Sequence, residues 1–427
     1  MNNKKYAMCL LTIPFLTTAL TSCGGNQFQP LWNEEADSEK LVSVVISDIH
    51  LGVDDVFAEN SKNKGLTADF FNRASVTSSI DEIVIDGDFL DGWFLPTSYG
   101  TIRNYSELYT RVASNNKEII TAIQRCIANG KKVVYVPGNH DMTLSHDILA
   151  SIIPGITQIR DEDGLGTYRT GYRSEVAIEH GHRYNVFCAP DPLSNAVVGI
   201  NSILPAGYFY TRLATEWVVE GHPTNQIAVP NVDEPSALDV DQMGAYAYYQ
   251  MWKNVIGQFG VNKTMEDKFL PVGVDGFDDY YSLADVVPTM KDGKIQAKLF
   301  PDIQARWNEL QIKNRVNKPY DFIEAITNAD NSDWCDETAI EQHFDIEKST
   351  DVVVFGHTHN PKFWNNIEGY PGKTYINTGT WIDKNNVDAQ KRTRQFAKIV
   401  SSNEETISAL LQYQADGTII DISNDCK

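Results

Sequence analysis

The chain has 427 residues, of which 57 are acidic and 36 are basic, so its formal net charge at pH 7 is −21. Negative charge of this size repels nucleic acid polymers at long range, and we do not expect one as a partner. A phosphate-bearing substrate would need local positive charge, which bound metal ions can supply. The length suffices to bury a core without disulfide bonds and suggests two or three domains.

The N-terminal segment has the order of residues found in a secretory signal. Two lysines precede an apolar run at residues 6–20, which is shorter than the roughly 20 residues that span a bilayer. The run leads to Leu-Thr-Ser-Cys, ending at Cys23, which resembles the lipobox of bacterial lipoproteins. We therefore expect residues 1–22 to be a lipoprotein signal peptide, Cys23 to carry the lipid anchor, and residues 23–40 to be a polar tether. The alternative is an ordinary cleaved signal in which the cysteine is incidental.

Export would place the mature protein at a membrane surface, in the periplasm or on the cell surface, where disulfide bonds can form. The cysteines that follow the anchor have no CxxC spacing, and we expect none of them to be catalytic: Cys126, Cys188, Cys335 and Cys426.

Five short apolar runs follow the tether, and each ends in a cluster of Asp, His or Asn. Runs of this kind are typical of strands buried on both faces. A helical pattern occupies residues 105–128, with Gly130 as a stop signal. The alternation predicts an α/β layered fold with functional side chains at the carboxyl ends of strands. The runs and their clusters are 41–47 with Asp48-Ile49-His50, 82–85 with Asp86-Gly87-Asp88, 132–136 with Pro137-Gly138-Asn139-His140-Asp141, 175–178 with His180-Gly181-His182, and 351–355 with Gly356-His357-Thr358-His359.

Two further regions complete the chain. Residues 192–342 break the alternation with helical and aromatic segments, and we interpret them as a largely helical insertion over or beside the catalytic layers, with its aromatic side chains mostly in a core. Residues 41–191 and 343–427 would then form the catalytic domain. Strands are also predicted near the C-terminus, and the last two flank Asp416-Gly417, a strong hairpin signal: 374–381, 395–400, 406–413 and 418–422.

Each cluster alone is a weak signal, because a DxH string or a GNHD turn also arises by chance. Together they place Asp, His and Asn at the ends of five strands. Core packing gives no reason for this, because buried Asp and His need partners. A site for divalent metal ions would explain the pattern, since carboxylate, imidazole and amide groups are among the ligands of such ions.

The ordered set DIH, GDFLD, GNHD, HGH and GHTH resembles the calcineurin-like metallophosphoesterase superfamily. The resemblance covers residues 41–181 and 351–381 and leaves out the insertion. It implies a four-layer α/β/β/α sandwich with two divalent ions, such as Mn, Fe or Zn, at the strand ends. A water shared by the ions would lose a proton and attack phosphorus in line. The implied ligands are Asp48, His50 and His359 for one ion, Asn139, His180 and His357 for the other, and Asp88 as the bridge.

The resemblance also implies roles beside the metal ligands. His140 matches a histidine that donates a hydrogen bond or proton to the ester oxygen, and Asp91 would orient it. Asp141 either belongs to this group or caps the helix that follows. His182 would lie behind the ligands or face the substrate. The remaining histidines have no motif around them, and we expect them to be hydrogen-bonded or solvated: His146, His222 and His343.

Departures from the family pattern bear on the substrate. Gly92-Trp93 stands where the Ser/Thr phosphatases of the superfamily carry an Arg, which argues against a phosphoprotein substrate. The segments ISDIHLG, GDFLDGW, GHTHNP and YINTGTW resemble the branch of UDP-diacylglucosamine hydrolases. That branch has GNRD and HGD and works in the cytoplasm, whereas this chain has GNHD, HGH and an export signal. The scaffold therefore resembles that branch without implying its substrate.

The sequence predicts a metal-dependent hydrolase of a phosphate monoester or diester. The alternative is a surface lipoprotein that keeps the fold and the metal without catalysis, although no ligand of the motif set is missing. A metallo-β-lactamase-type hydrolase would need an HxHxDH string, which the sequence lacks. The choice of substrate, the metal and the oligomeric state stay open.

Overall fold

A computed structural model describes residues 31–95, 99, 104–161, 164–273, 275–277 and 279–427. The predicted signal peptide and Cys23 lie outside the described residues. Within these ranges, no helix combines the length and the apolar character needed to cross a bilayer.

Sixteen strands are described. In chain order they are β1 (Leu41–Ile46), β2 (Glu82–Asp86), β3 (Lys132–Val136), β4 (Thr157–Gln158), β5 (Tyr168–Thr170), β6 (Val176–Ile178), β7 (Leu270–Pro271), β8 (Tyr280–Tyr281), β9 (Thr289–Lys291), β10 (Lys294–Gln296), β11 (Val352–Phe355), β12 (Lys362–Trp364), β13 (Thr374–Asn377), β14 (Gln395–Ser401), β15 (Thr406–Tyr413) and β16 (Ile419–Asp421).

Ten α-helices are described, with short 3-10 turns at 31–33, 182–184 and 196–198 and a π-helical turn at Ile340–Phe344. The helices are α1 (Lys64–Val76), α2 (Tyr105–Asn115), α3 (Lys117–Ala128), α4 (His146–Ile152), α5 (Ala206–Val219), α6 (Val240–Gln258), α7 (Leu283–Val286), α8 (Ile303–Lys313), α9 (Phe322–Thr327) and α10 (Ser332–Ala339).

The strands that carry the clusters belong to two different sheets. The larger sheet has seven strands in the order β16-β15-β14-β1-β2-β3-β4, and β1 to β4 are parallel. The smaller has five strands in the order β12-β13-β11-β6-β5, with β6, β11 and β13 parallel. Strands β1, β2 and β3 therefore deliver three clusters from one sheet, and β6 and β11 deliver two from the other.

Alternating side chains explain how the sheets stack. On β2, Ile83 and Ile85 pack in a core with side chains of α1 and α3, while Val84 points the other way. Val84 shares a core with Val354 of β11, so this core lies between the two sheets. Phe355, which follows Val354 on β11, packs instead against side chains of the insertion helices. The layers are thus helix, sheet, sheet, helix, and the predicted α/β/β/α sandwich is confirmed.

Two predicted elements end differently from expectation. The helix predicted over 105–128 is broken at Asn116, whose buried amide donates to the backbone oxygens of Val112 at 2.7 Å and Gly52 at 3.0 Å. The strand predicted over 374–381 ends at Asn377, because the chain then crosses to the end of β1, where Trp381 N–H donates to Asp48 O at 3.0 Å. The hairpin predicted at Asp416-Gly417 joins β15 and β16.

Within its described residues, the region predicted as an insertion contains the helices α5 to α10, irregular segments between them, and two small hairpins formed by β7 with β8 and β9 with β10. Its aromatic side chains mostly form a core, as expected. Tyr208, Phe209, Tyr248, Tyr249 and Trp252 are all buried in one cluster with Val353 and Tyr375 of the smaller sheet.

Candidate metal centre

The loops that follow β1 and β11 hold their polar side chains in an unusual backbone conformation. Asp48 and His50 have φ values of 50° and 47°, and His357 and His359 have values of 68° and 59°. Residues other than glycine rarely adopt this left-handed region, and each such residue costs on the order of 1–3 kcal/mol. In the first loop the residue between the two, Ile49, is buried in the core beneath the sheet. The left-handed backbone conformation thus turns the side chains of Asp48 and His50 out of the core, although Ile49 between them is buried in it.

Four of the predicted ligands converge on one point. The ligand atoms of Asp48, His50, Asp88 and His359 all lie within 4.8 Å of one another. His359 Nε2 is 3.2 Å from Asp48 Oδ1, and His50 Nε2 is 3.5 Å from Asp88 Oδ2. This is the group that the resemblance assigns to one ion together with the bridging carboxylate.

The other three predicted ligands form a second group beside Asp88. His180 Nε2 is 3.3 Å from Asp88 Oδ2, and His357 Nδ1 is 2.9 Å from Asn139 Oδ1. The rings of His180 and His357 are 5.4 Å apart. Asp88 therefore touches residues of both predicted groups, as a bridging ligand must.

His180 offers a direct test of whether these residues suit a metal. Its Nδ1 lies 2.8 Å from the backbone oxygen of Asp86, which fixes that nitrogen as the N–H donor. Its Nε2 is buried and has no hydrogen-bond partner among the described residues. An imidazole whose Nδ1–H is fixed by a backbone oxygen, and whose Nε2 faces a carboxylate, has the arrangement of a metal-binding histidine once Nε2 gives up its proton. The donor set of carboxylate, imidazole and amide fits a divalent cation.

Charge at the centre favours a cation. Burial alone would raise the pKa of Asp88, but the surrounding imidazoles, His180 foremost, hold it well below its usual value. Burial would lower the pKa of His180, but Asp88 and Asp48 raise it to about 10. The pKa of His357 is instead lowered to about 3 by burial and by the charge of His180. Without a cation, protons on histidines balance the carboxylates, and a cation can replace those protons.

His140 and Asp91 form a pair next to the first group. His140 Nδ1 lies 3.0 Å from Asp91 Oδ2, and the same oxygen lies 3.0 Å from His50 Nδ1. The other oxygen of Asp91 accepts from the backbone N–H groups of Trp93 and Phe94 at 2.8 Å. Burial would lower the pKa of His140, but Asp91 and Asp88 raise it. The carboxylate thus orients two imidazoles and keeps a proton on the one that lines the cavity.

Glycines let these loops approach one another. A Cβ atom on Gly138 would lie 2.3 Å from Asp88 Oδ1, and one on Gly356 would lie 2.5 Å from Asp48 Oδ2. Neither distance is possible for a real side chain. The glycines of GNHD and GHTH are therefore required by the close packing of one ligand loop on another.

Asp141 does not cap a helix, so that interpretation is wrong. The helix that follows begins at His146, and Ser145 is its N-cap. The buried carboxylate of Asp141 instead accepts from the N–H groups of Gly138 at 2.7 Å and Phe89 at 2.8 Å. It ties the GNHD loop to the GDFLD loop and so sets the distance between their ligands.

The other histidines lie where expected. His182 is buried behind the ligands, with Nε2 2.8 Å from the backbone oxygen of Gly164, and its ring is 5.3 Å from that of His180. His343 is buried and lies 3.2 Å from Glu179, while His146 and His222 are exposed.

Several supporting residues were not predicted from the sequence. Glu59 lies 3.5 Å from His50 Nδ1, although nothing around it in the sequence marks it. Thr380 donates to Asp48 O at 3.0 Å, and Asn377 donates to Gly356 O at 2.7 Å. Both belong to the segment YINTGTW, whose polar residues at the end of β13 and just after it were the signal that could have identified them.

A cavity of about 430 Å³ opens onto the centre. Asp88, Asn139, His140, His357 and His359 form its floor, and helices α5, α6 and α10 supply much of its walls. Cys188 and Cys335 also line it, but burial raises the pKa of both thiols, that of Cys335 to about 12. A thiol with a raised pKa stays protonated at neutral pH and is a poor nucleophile.

Comparison with known proteins identifies the family. The family model for calcineurin-like phosphoesterases matches residues 42–361. A search of curated protein sequences found no match. Among solved structures, the chain is similar to the phosphopantetheinyl hydrolase of Mycobacterium tuberculosis, with a TM-score of 0.27 and 12% identity over 81% of this chain and 91% of that one. The family match includes every cluster described above and most of the chain. The chain belongs to the calcineurin-like phosphoesterase family.

Proposed function

We propose that the protein hydrolyses a phosphate monoester or diester with two divalent cations. One cation would be held by Asp48, His50 and His359 and the other by Asn139, His180 and His357, with Asp88 shared. The observation that carries the proposal is the convergence of Asp48, His50, Asp88 and His359, whose ligand atoms lie within 4.8 Å of one another. Divalent cations at such a site withdraw charge from phosphate and lower the pKa of water toward neutrality.

The residues of the chain have separate tasks in this reaction. The ligand loops hold the ester phosphate at the floor of the cavity, and the walls exclude bulk water from it. His140 gives its proton to the oxygen of the departing alcohol. Asp91, 3.0 Å from His140 Nδ1, orients the ring and stabilises its charged form. The ring of Trp93 stacks on the ring of His140, with the two centroids 4.8 Å apart, and keeps the imidazole from turning away.

The test combines metal removal with turnover. The protein stripped with a chelator is assayed with 4-nitrophenyl phosphate and bis(4-nitrophenyl) phosphate before and after addition of Mn²⁺. We expect activity only with the cation, and we expect Asp88→Asn to abolish it. Asp55→Asn, which changes an exposed carboxylate in the segment after β1, is the control and should leave turnover unchanged. Full activity of the metal-free protein would overturn the proposal, and tight Mn²⁺ binding without hydrolysis of either ester would favour a non-catalytic binding protein.

We also propose that the protein is exported and anchored to a membrane by a lipid on Cys23. Support comes from the two N-terminal lysines, the apolar run that ends just before the cysteine, and the polar segment after it. An anchored enzyme of this kind would act on phosphate esters in the periplasm or outside the cell.

A further inference from the structure

The walls of the cavity restrict what can be attached to the reacting phosphate. Since the centre forms the floor, the organic part of any ester bound there must lie against residues from the insertion and neighbouring loops.

The described residues of these walls supply no positive charge. Among the described lining residues there is no Lys or Arg, and the carboxylate of Asp330 is the one acidic side chain outside the floor. A second phosphate or a carboxylate on the substrate would therefore lose its hydration without gaining a counter-charge from the walls, and it would be repelled by the carboxylate of Asp330. The net charge of −21 adds repulsion at longer range.

What the walls do supply is apolar surface and neutral hydrogen-bonding groups. Trp93, Phe187, Tyr210, Met251 and Val255 offer aromatic and aliphatic area. The amides of Asn254, Gln258 and Asn360 both donate and accept hydrogen bonds. Such a lining matches an organic group with hydroxyl or amide functions on an apolar framework.

We propose that the cavity selects phosphate esters whose organic part is amphipathic and carries no negative charge, an inference that rests on the proposed function. Esters with a second anionic group, such as nucleoside diphosphates and triphosphates, are excluded by the walls and not by the metal centre.

The test uses two non-hydrolysable probes that differ in one group. Binding of 4-(hydroxymethyl)benzylphosphonate and 4-carboxybenzylphosphonate to the Mn²⁺-loaded protein is measured by calorimetry. We expect the hydroxymethyl compound to bind at least about tenfold more tightly than the carboxy compound, the effect of one unpaired like charge in a partly buried site. Equal affinities, or no binding of either compound, would overturn the inference. Turnover of 4-nitrophenyl phosphate, measured separately, reports on the proposed function itself.

Two lysine variants locate the effect in the cavity. Gln258→Lys adds a positive charge to the wall, and Gly257→Lys adds the same charge one residue earlier on α6, outside the cavity and with open space around its Cβ position. We expect Gln258→Lys to reduce the preference for the hydroxymethyl compound several-fold and Gly257→Lys to leave it unchanged. An equal shift in both variants would assign the preference to overall charge and would overturn the role of the walls.

Discussion

Replacing Asp91 by Asn keeps the shape of the side chain but exchanges an acceptor for a donor. One oxygen of Asp91 already accepts from the N–H groups of Trp93 and Phe94 at 2.8 Å, and the amide oxygen of Asn would remain there. The new NH₂ group would then face the Nδ1 atoms of His50 and His140, which lie 3.0 Å from Oδ2 in the native protein. Each ring would have to accept at Nδ1 and carry its proton on Nε2.

The two histidines should respond differently. At His140 the loss of one charge-assisted hydrogen bond, worth about 1.5–3 kcal/mol, should slow proton donation by about 10- to 100-fold. At His50 a proton would occupy Nε2, the atom that lies 3.5 Å from Asp88. Metal affinity should therefore fall by about 10- to 100-fold.

The assay separates these effects. Affinity for Mn²⁺ is measured by titration, and kcat is measured at saturating Mn²⁺ for an alkyl phosphate ester and for the 4-nitrophenyl ester. We expect weaker Mn²⁺ binding and a kcat loss that is larger for the alkyl ester, because a poor leaving group needs the proton most. His140→Ala should reproduce the kcat loss with Mn²⁺ affinity unchanged. Asp91→Asn protein with native Mn²⁺ affinity, or an equal kcat loss for both esters, would refute this reasoning.

Three further predictions concern the metal, the fold and the anchor. Burial would lower the pKa of His180, but Asp88 and Asp48 raise it to about 10, so Mn²⁺ binding to the metal-free protein at pH 7.5 should release protons. Calorimetry in buffers of different ionisation enthalpy should detect these protons. Binding without proton release would contradict the prediction. Burial alone would raise the pKa of Glu179, but Arg183 and His343 lower it. The stabilisation of the fold by this carboxylate is therefore present above the unfolded pKa of about 4.3 and is lost as the pH falls toward the folded value. Glu179→Gln should cost about 3–5 kcal/mol at pH 7 in urea unfolding and less at pH 3, whereas Glu347→Gln, an exposed partner of Arg169, should cost under about 1 kcal/mol; a cost for Glu179→Gln that does not change with pH would contradict the assignment. Cys23→Ser should move the protein from the membrane fraction to the soluble fraction and abolish labelling by palmitate, while Cys188→Ser should change neither; retention of the label would exclude the anchor.

Most of the fold and of the predicted ligand set could be read from local sequence. The five clusters stand directly after buried strands, and parallel strands bring their carboxyl ends to one edge. Helix 105–128 was predicted as continuous because its periodicity does not break at Asn116, whose role depends on a contact with Gly52 more than sixty residues away. Asp141 was compatible with a helix cap in sequence, and only the approach of the GDFLD loop gives its carboxylate other donors.

Two features depended on long-range packing and could not be predicted. Glu59 reaches His50 from a loop without any motif. The lining of the cavity combines residues of α5, α6 and α10 with the catalytic loops, and the sequence of the insertion alone does not tell which of its aromatics face the cavity. Tyr210 does, whereas the adjacent Phe209 is buried in the core.

The most direct test of the account is anomalous diffraction from a crystal of the Mn²⁺-loaded protein, recorded at the manganese absorption edge. We predict two peaks, one in contact with Asp48, His50 and His359, the other in contact with Asn139, His180 and His357, and both within bonding distance of Asp88. A single peak, or peaks away from Asp88, would contradict a centre in which that carboxylate is shared by two cations.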